Sequence, residues 1–80
     1  GIDVLASRNK KTLAVQCKKY AKPVGNKAVQ EVVAAKTHYK ADHAMVIAPN
    51  GFTNSAKKLA ESNNVMLIHH SEIGEINLFK

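Results

Sequence analysis

Three polar residues interrupt the first two apolar runs of the chain, and their types are suited to chemistry. Asp3 stands in "GIDVLA", and Gln16 and Lys18 stand in "LAVQCKKY". A carboxylate, a side-chain carbonyl and an ammonium on one patch are what a hard divalent cation and a phosphodiester require. Asp3 offers a charged oxygen ligand, Gln16 a neutral one, and the backbone carbonyl of Cys17 a third. Lys18 can orient or help deprotonate a water and counter charge on a phosphate. The plainer alternative is a cross-strand salt bridge between Asp3 and Lys18, with Gln16 in solvent. Spacing alone favours that alternative, because surface ion pairs are common and contribute little.

These residues can meet only if a hairpin positions them. Gln16 and Lys18 are two apart and share one face of a strand, with Ala14. Leu13, Val15 and Cys17 take the other, apolar face, so Cys17 is expected in the core rather than as a nucleophile. A hairpin closing symmetrically about Asn9 and Lys10 pairs positions that sum to 19 and sets Asp3 opposite Gln16. Opposed residues on one face have Cβ atoms about 4.5–5.5 Å apart. An odd-length loop would put Asp3 opposite Val15 or Cys17 and mix charged with apolar faces, which sheets resist.

The elements follow from the periodicity. Ile2 to Ala6 and Leu13 to Lys18 read as strands, with a polar turn from Ser7 to Thr12. Pro23-Val24-Gly25-Asn26 breaks the pattern, and Asn26 is the expected helix N-cap. Val29, Val32, Val33 and the stem of Lys36 fall at helical spacing between Lys27 and Tyr39. "HAMVIA" from His43 to Ala48 reads as a buried strand. Pro49-Asn50-Gly51 turns the chain, and Thr53 caps a helix over Asn54–Ser62 with Ala56, Leu59 and Ala60 inward. Val65 to Ile68 is a further buried strand, and 69–80 reads as an irregular or short helical tail. The fold class is therefore α/β: a mixed sheet with a hairpin followed by βαβαβ, its last three strands parallel and its crossovers right-handed. Two helices would cover one face, leaving the other short of cover.

The chain has 80 residues, 45% of them hydrophobic and 22% charged. This suits one small domain with one core. No apolar run reaches the roughly 18 residues of a membrane span, and the single Cys17 fits a reducing, cytoplasmic setting. The formal net charge is +6, and its distribution is uneven. Arg8, Lys10, Lys11, Lys18, Lys19 and Lys22 are six of the twelve basic residues, with no acid between Arg8 and Lys22. Such a cluster attracts nucleic acid by counterion release, or else solvates a hairpin tip.

Other candidates weigh less. His69 and His70 are adjacent and would point to opposite faces of a strand, and His38 and His43 flank a helix end, so no zinc site is expected. Thr53 and the amides after it offer a phosphate site or, more simply, an N-cap. Tyr20 and Tyr39 could stack on bases but suit packing better. Asn50 and Gly51 suit a turn.

Asp3 in "GIDV", followed after a hairpin by "VQCKKY", resembles the Mrr-type restriction endonucleases. These belong to the PD-(D/E)xK superfamily, with an Asp…Gln-x-Lys variant of its motif. The resemblance continues through "VGNKAVQEVVAAKTHYKAD" and "GFTNSAKKLAESNNVMLI", from Gly1 to about Ile68. It implies a restriction-endonuclease-like fold and Mg2+- or Mn2+-dependent cleavage of double-stranded DNA in a restriction-modification role, in the cytoplasm at the nucleoid. Asp3, Gln16 and Lys18 take the motif positions, Asp3, Gln16 and the Cys17 carbonyl hold metal, and Gln30 supports the site from the first helix. Glu31 reads as a structural, solvent-facing partner for a Lys or Arg. Arg8, Lys10, Lys11, Lys19 and Lys22 would track the DNA backbone.

The sequence departs from the family in two ways. The family's helix and first strand before the Asp are missing, which suggests an N-terminally truncated single domain over 1–80, or a homodimer partner covering the sheet. "VIAPNGF" and "LIHHSE" replace a Thr-Asn-Ser turn and an Asp after the last strand. A DNA-binding module with a degenerate or truncated nuclease fold is therefore the alternative to an endonuclease. A purely structural, oligomeric domain is a third reading, and a junction-resolving nuclease a variant of the first.

Overall fold

A computed structural model of the chain describes residues 4–69. The hairpin comes first. β1 (Val4–Arg8) and β2 (Lys11–Cys17) pair antiparallel from Val4↔Val15 to Arg8↔Lys11, with Asn9 and Lys10 as the two-residue turn. Both turn residues have positive φ, 52° and 66°, the geometry of a type I′ turn, whose twist matches that of the flanking strands. Every pair in this ladder sums to 19, the register expected from the sequence. The turn is tighter than the Ser7–Thr12 span read from polarity, because Ser7 and Thr12 pair with each other. The ladder ends at Val4, and Asp3 lies outside the described residues.

The rest of the chain builds a parallel sheet. α1 (Asn26–His38), β3 (His43–Ala48), α2 (Asn54–Ser62) and β4 (Val65–His69) follow in order. The sheet order is β1-β2-β3-β4, with β2 parallel to β3 and β3 to β4. Strands β2 and β3 are thus interior. Their buried, β-branched and small residues suit strands packed on both faces. The expected mixed α/β sheet, a hairpin followed by helical crossovers, is the fold observed.

Both helices lie on one face. Val29 and Val32 of α1 and Ala56 and Ala60 of α2 join Ala14, Ala44, Val46 and Ala48 of the strands in one buried cluster. Alanine at so many of these positions lets the helices approach the sheet closely, while the valines fill the space between. α2 begins where expected: the Thr53 hydroxyl accepts a hydrogen bond from the Ala56 amide at 3.1 Å, which satisfies one of the helix's unpaired donors. α1 does not begin as expected. Asn26 is already helical, and Gly25, extended at φ −98° and ψ −167°, is the N-cap, with no side-chain cap. The Asn26 amide instead donates to the Ser55 hydroxyl at 3.0 Å, joining the starts of the two helices.

The second face of the sheet is not bare. Val15, Met45 and Ile68 are 2%, 3% and 8% exposed within the single chain and pack with Leu13 and Ile47. The alternation expected for β2 holds, with Ala14 and Val15 in opposite clusters. Cys17 departs from its expected place in the core: it is the last residue of β2 and is exposed, although its partner across the ladder is the apolar Ile47. The strand β4 runs one residue further than expected, to His69. The tail expected over 69–80 falls, past His69, outside the described residues. Among the described residues no helix is long and apolar enough to cross a membrane.

Candidate nucleic-acid interface

The site grows from the carboxyl end of β2. There the chain leaves the sheet while still bonded to β3, since the Lys18 amide donates to the Ile47 carbonyl at 2.9 Å. The loop that follows is stitched to the loop after β3. The Val24 amide donates to the Gly51 carbonyl and the Thr53 amide to the Val24 carbonyl, each at 2.9 Å. The Asn50 side-chain amide donates to the Tyr20 carbonyl. Backbone bonds at both ends of this loop therefore fix where Lys18, Tyr20 and Gly25 stand.

Gln16 is the one buried polar residue among the described core positions, 2% exposed and paired across the ladder with Val46. It belongs to the helix side of the sheet, not to solvent as the salt-bridge alternative had it. Its Oε1 accepts no hydrogen bond from the described residues, although the residue does make a further interaction. An amide in such a place costs free energy unless it is satisfied or used. The oxygen is a neutral, hard donor of the kind a divalent cation accepts.

Lys18, two residues on, meets α1. Its Nζ lies 3.5 Å from the Glu31 carboxylate and 5.7 Å from the centre of the Tyr20 ring, a distance at which a cation is attracted to an aromatic face. Burial pulls the Lys18 pKa down, but a hydrogen bond with Tyr20 and the charge of Glu31 outweigh it and leave it above lysine's ordinary value. Lys18 is thus an ammonium at neutral pH, able to serve as a counter-charge and hydrogen-bond donor. Because the folded-state value is the higher one, the pair's contribution to stability is complete at neutral pH. It is lost only as pH rises through the lysine range.

A groove of about 150 Å³ opens here, lined by Lys18, Tyr20, Gly25, Lys27 and Glu31 with Val24 and Ala28. Among the described residues, two ammonium groups and an exposed tyrosine ring border it, against one carboxylate that is engaged with Lys18. Lys10, Lys11, Lys19 and Lys22 are all exposed, at the two ends of β2, and Arg8 pairs with Lys11 at the hairpin tip. Gln30 is exposed on α1, and it is its neighbour Glu31 that reaches the motif lysine. Among the described residues no three His, Cys, Asp or Glu side chains gather as a metal cluster. Tyr39 packs edge-on against His38, ring centres 4.7 Å apart, which accounts for it structurally.

Lys27 is a site residue that the sequence reading did not select. Glu31, read there as a structural partner for a Lys or Arg, pairs with Lys18 at the site. The available signal was helical phase. Glu31 lies three residues after the inward Ala28 and four after Lys27, so all three share one side of α1.

The family model described as restriction endonuclease, of the Mrr catalytic type, matches residues 1–76. The chain belongs to this family. Its fold is also similar to the crystal structure of a protein of unknown function, AF1548, at 25% identity and a TM-score of 0.73. That likeness covers 88% of this chain and 41% of the other, so the chain spans less than half of that protein's length. No protein of curated function matches the chain. The structure gives Lys18 a partner, Glu31.

Replacing that partner tests the electrostatics directly. In Glu31→Gln the Lys18 pKa should fall towards or below the ordinary lysine value, since burial persists while the anion is gone. An NMR titration of the Lys18 side chain reads this, and an unchanged pKa would show that Glu31 does not hold it.

Proposed function

We propose that this Mrr-family domain is a DNA-binding module of nuclease fold that grips the phosphate backbone across the carboxyl end of β2. The observation that carries this reading is the groove around Lys18, with its two ammonium groups, backed by exposed lysines at both ends of the strand. The ion pair with Glu31 holds the Lys18 ammonium in place and charged, ready for a phosphate oxygen. Tyr20, 49% exposed, offers its ring to sugar or base. The basic hairpin reaches along the duplex, where lysines act as positioning contacts without sequence preference.

A second reading, metal-dependent hydrolysis of DNA, is favoured by one observation, the burial of Gln16 on the motif strand. The donor set that the sequence supplies is all oxygen and fits a hard cation such as Mg2+ or Mn2+. Asp3, Gln16 and the Cys17 carbonyl would hold it, and when bound it would supply Lewis acidity and a more acidic water. This chain's part in the reaction is then to orient the phosphate. Lys18, protonated, counters its charge, and Glu31 keeps Lys18 from swinging into solvent.

The binding reading predicts a DNA affinity that falls steeply with salt. Each of Lys10→Ala, Lys11→Ala, Lys19→Ala and Lys22→Ala should reduce the slope of log affinity against log salt by about 1. Fluorescence anisotropy with a labelled duplex measures it, and a wild-type affinity independent of salt would refute the reading.

The hydrolytic reading is separated by stability rather than by products. Gln16→Glu places a carboxylate in a buried site and should lower the melting temperature without metal. Mn2+ should then restore more stability to this variant than to the wild type, by preferential binding to the folded state. Equal melting temperatures with and without Mn2+ in both proteins would remove the metal from the account.

A further inference from the structure

A second and larger cavity lies beside the Lys18 groove, and the motif does not use it. It has a volume of about 440 Å³ and opens at the carboxyl ends of β3 and β4, lined by Asn50, Gly51, Phe52, Lys57, Leu67 and His69. The size is that of a small-molecule pocket, where roughly 300–1,000 Å³ is usual. Its chemistry is two-sided. Phe52 and Leu67 make an apolar floor, while Lys57, His69 and Asn50 bring a cation, an imidazole and an amide to the rim. None of the described lining residues is acidic.

The walls are built rather than loose. Gly51 has φ +82°, and a Cβ there would stand 3.1 Å from His69 Cδ2, so only glycine lets this loop lie against the imidazole. The same glycine is bonded through its amide to Ala48 and through its carbonyl to Val24. Asn50 gives a side-chain N–H to the Tyr20 carbonyl, which leaves its side-chain oxygen as an acceptor. Tyr20 also lines the Lys18 groove. The two cavities therefore share a wall, the Tyr20–Asn50 contact.

We propose that this pocket takes one unstacked nucleotide of a DNA strand. Its phosphate lies on Lys57 and His69, its base on the floor of Phe52 and Leu67, and the Asn50 carbonyl accepts from an exocyclic amine. The inference rests on the reading that DNA lies along the Lys18 groove, because a strand held there carries its next nucleotide over the shared wall. An amine-bearing base suits the acceptor, so deoxyadenosine 5′-monophosphate is the probe of choice.

The test is an NMR titration of the full 80-residue chain with that nucleotide, with inorganic phosphate, and separately with a short DNA duplex. The nucleotide should shift the signals of Asn50, Lys57 and His69 and bind more tightly than phosphate. Lys57→Gln, on the exposed side of α2, should weaken it by about tenfold, the loss of one charge-assisted hydrogen bond, and His69→Gln should weaken it as well. Unmoved signals at these residues, or affinity unchanged in both variants, would overturn the inference. Phosphate binding as tightly as the nucleotide would overturn the part assigned to the base. The duplex arm stands apart. A duplex that shifts Lys18 and Tyr20 while the nucleotide shifts nothing leaves the DNA reading intact and removes the pocket. A nucleotide that binds while the duplex does not supports the pocket and refutes the DNA reading.

Discussion

The position of β2 as an interior strand is the constraint on which the rest depends. A strand paired on both sides has no freedom in register, and its alternation fixes which side chains go to which face. Gln16 and Lys18 are sent to the side on which α1 and α2 pack, while Val15 goes to the opposite cluster. An apolar residue at Gln16 would satisfy the packing of this core more simply. That a buried amide stands there instead, 2% exposed, is the feature on which the hydrolytic reading rests.

The consequences spread from the end of that strand. Lys18 remains bonded through its amide to β3 while its side chain crosses to α1. Its charge is kept by Glu31 and Tyr20 against the pull of burial. The loop from Lys18 to Gly25 is fastened to the β3–α2 loop by backbone bonds at Val24 and by the Asn50 side chain. Ligand sites in parallel sheets gather outside the carboxyl ends of the strands, and here two neighbouring loops at those ends are locked to each other. A site held this way is pre-organised, and an anion meeting it has little ordering left to impose.

Much of this was legible in the sequence, for physical reasons that can be named. The hairpin register followed from keeping polar and apolar faces apart, and the tight turn at Asn9 and Lys10 satisfies it. The α2 cap at Thr53 followed from a hydroxyl placed three residues before an amide that needs an acceptor. The α1 start did not, because Asn26 is as suitable a cap by type as Gly25, and the choice is settled by its tertiary bond to Ser55. Cys17 follows the right alternation but is the last residue of its strand and is exposed there, which periodicity alone does not show. Gln30 and Glu31 differ by one step of about 100° around the helix, the turn of an α-helix per residue, and only the docking of α1 on the sheet selects Glu31. The pocket under Gly51 was invisible, because it joins residues of two loops and a strand end that no local pattern links.

The central claim is that DNA lies over the carboxyl end of β2 and is met there by the Lys18 ammonium. Chemical-shift mapping of the isotope-labelled chain with a DNA duplex at moderate salt tests this most directly. The account predicts the largest changes at Lys18, Tyr20 and Lys27, with smaller ones along Lys10 and Lys11 at the hairpin tip. Changes confined to the outer faces of α1 and α2, with Lys18 and Tyr20 unmoved, would contradict it.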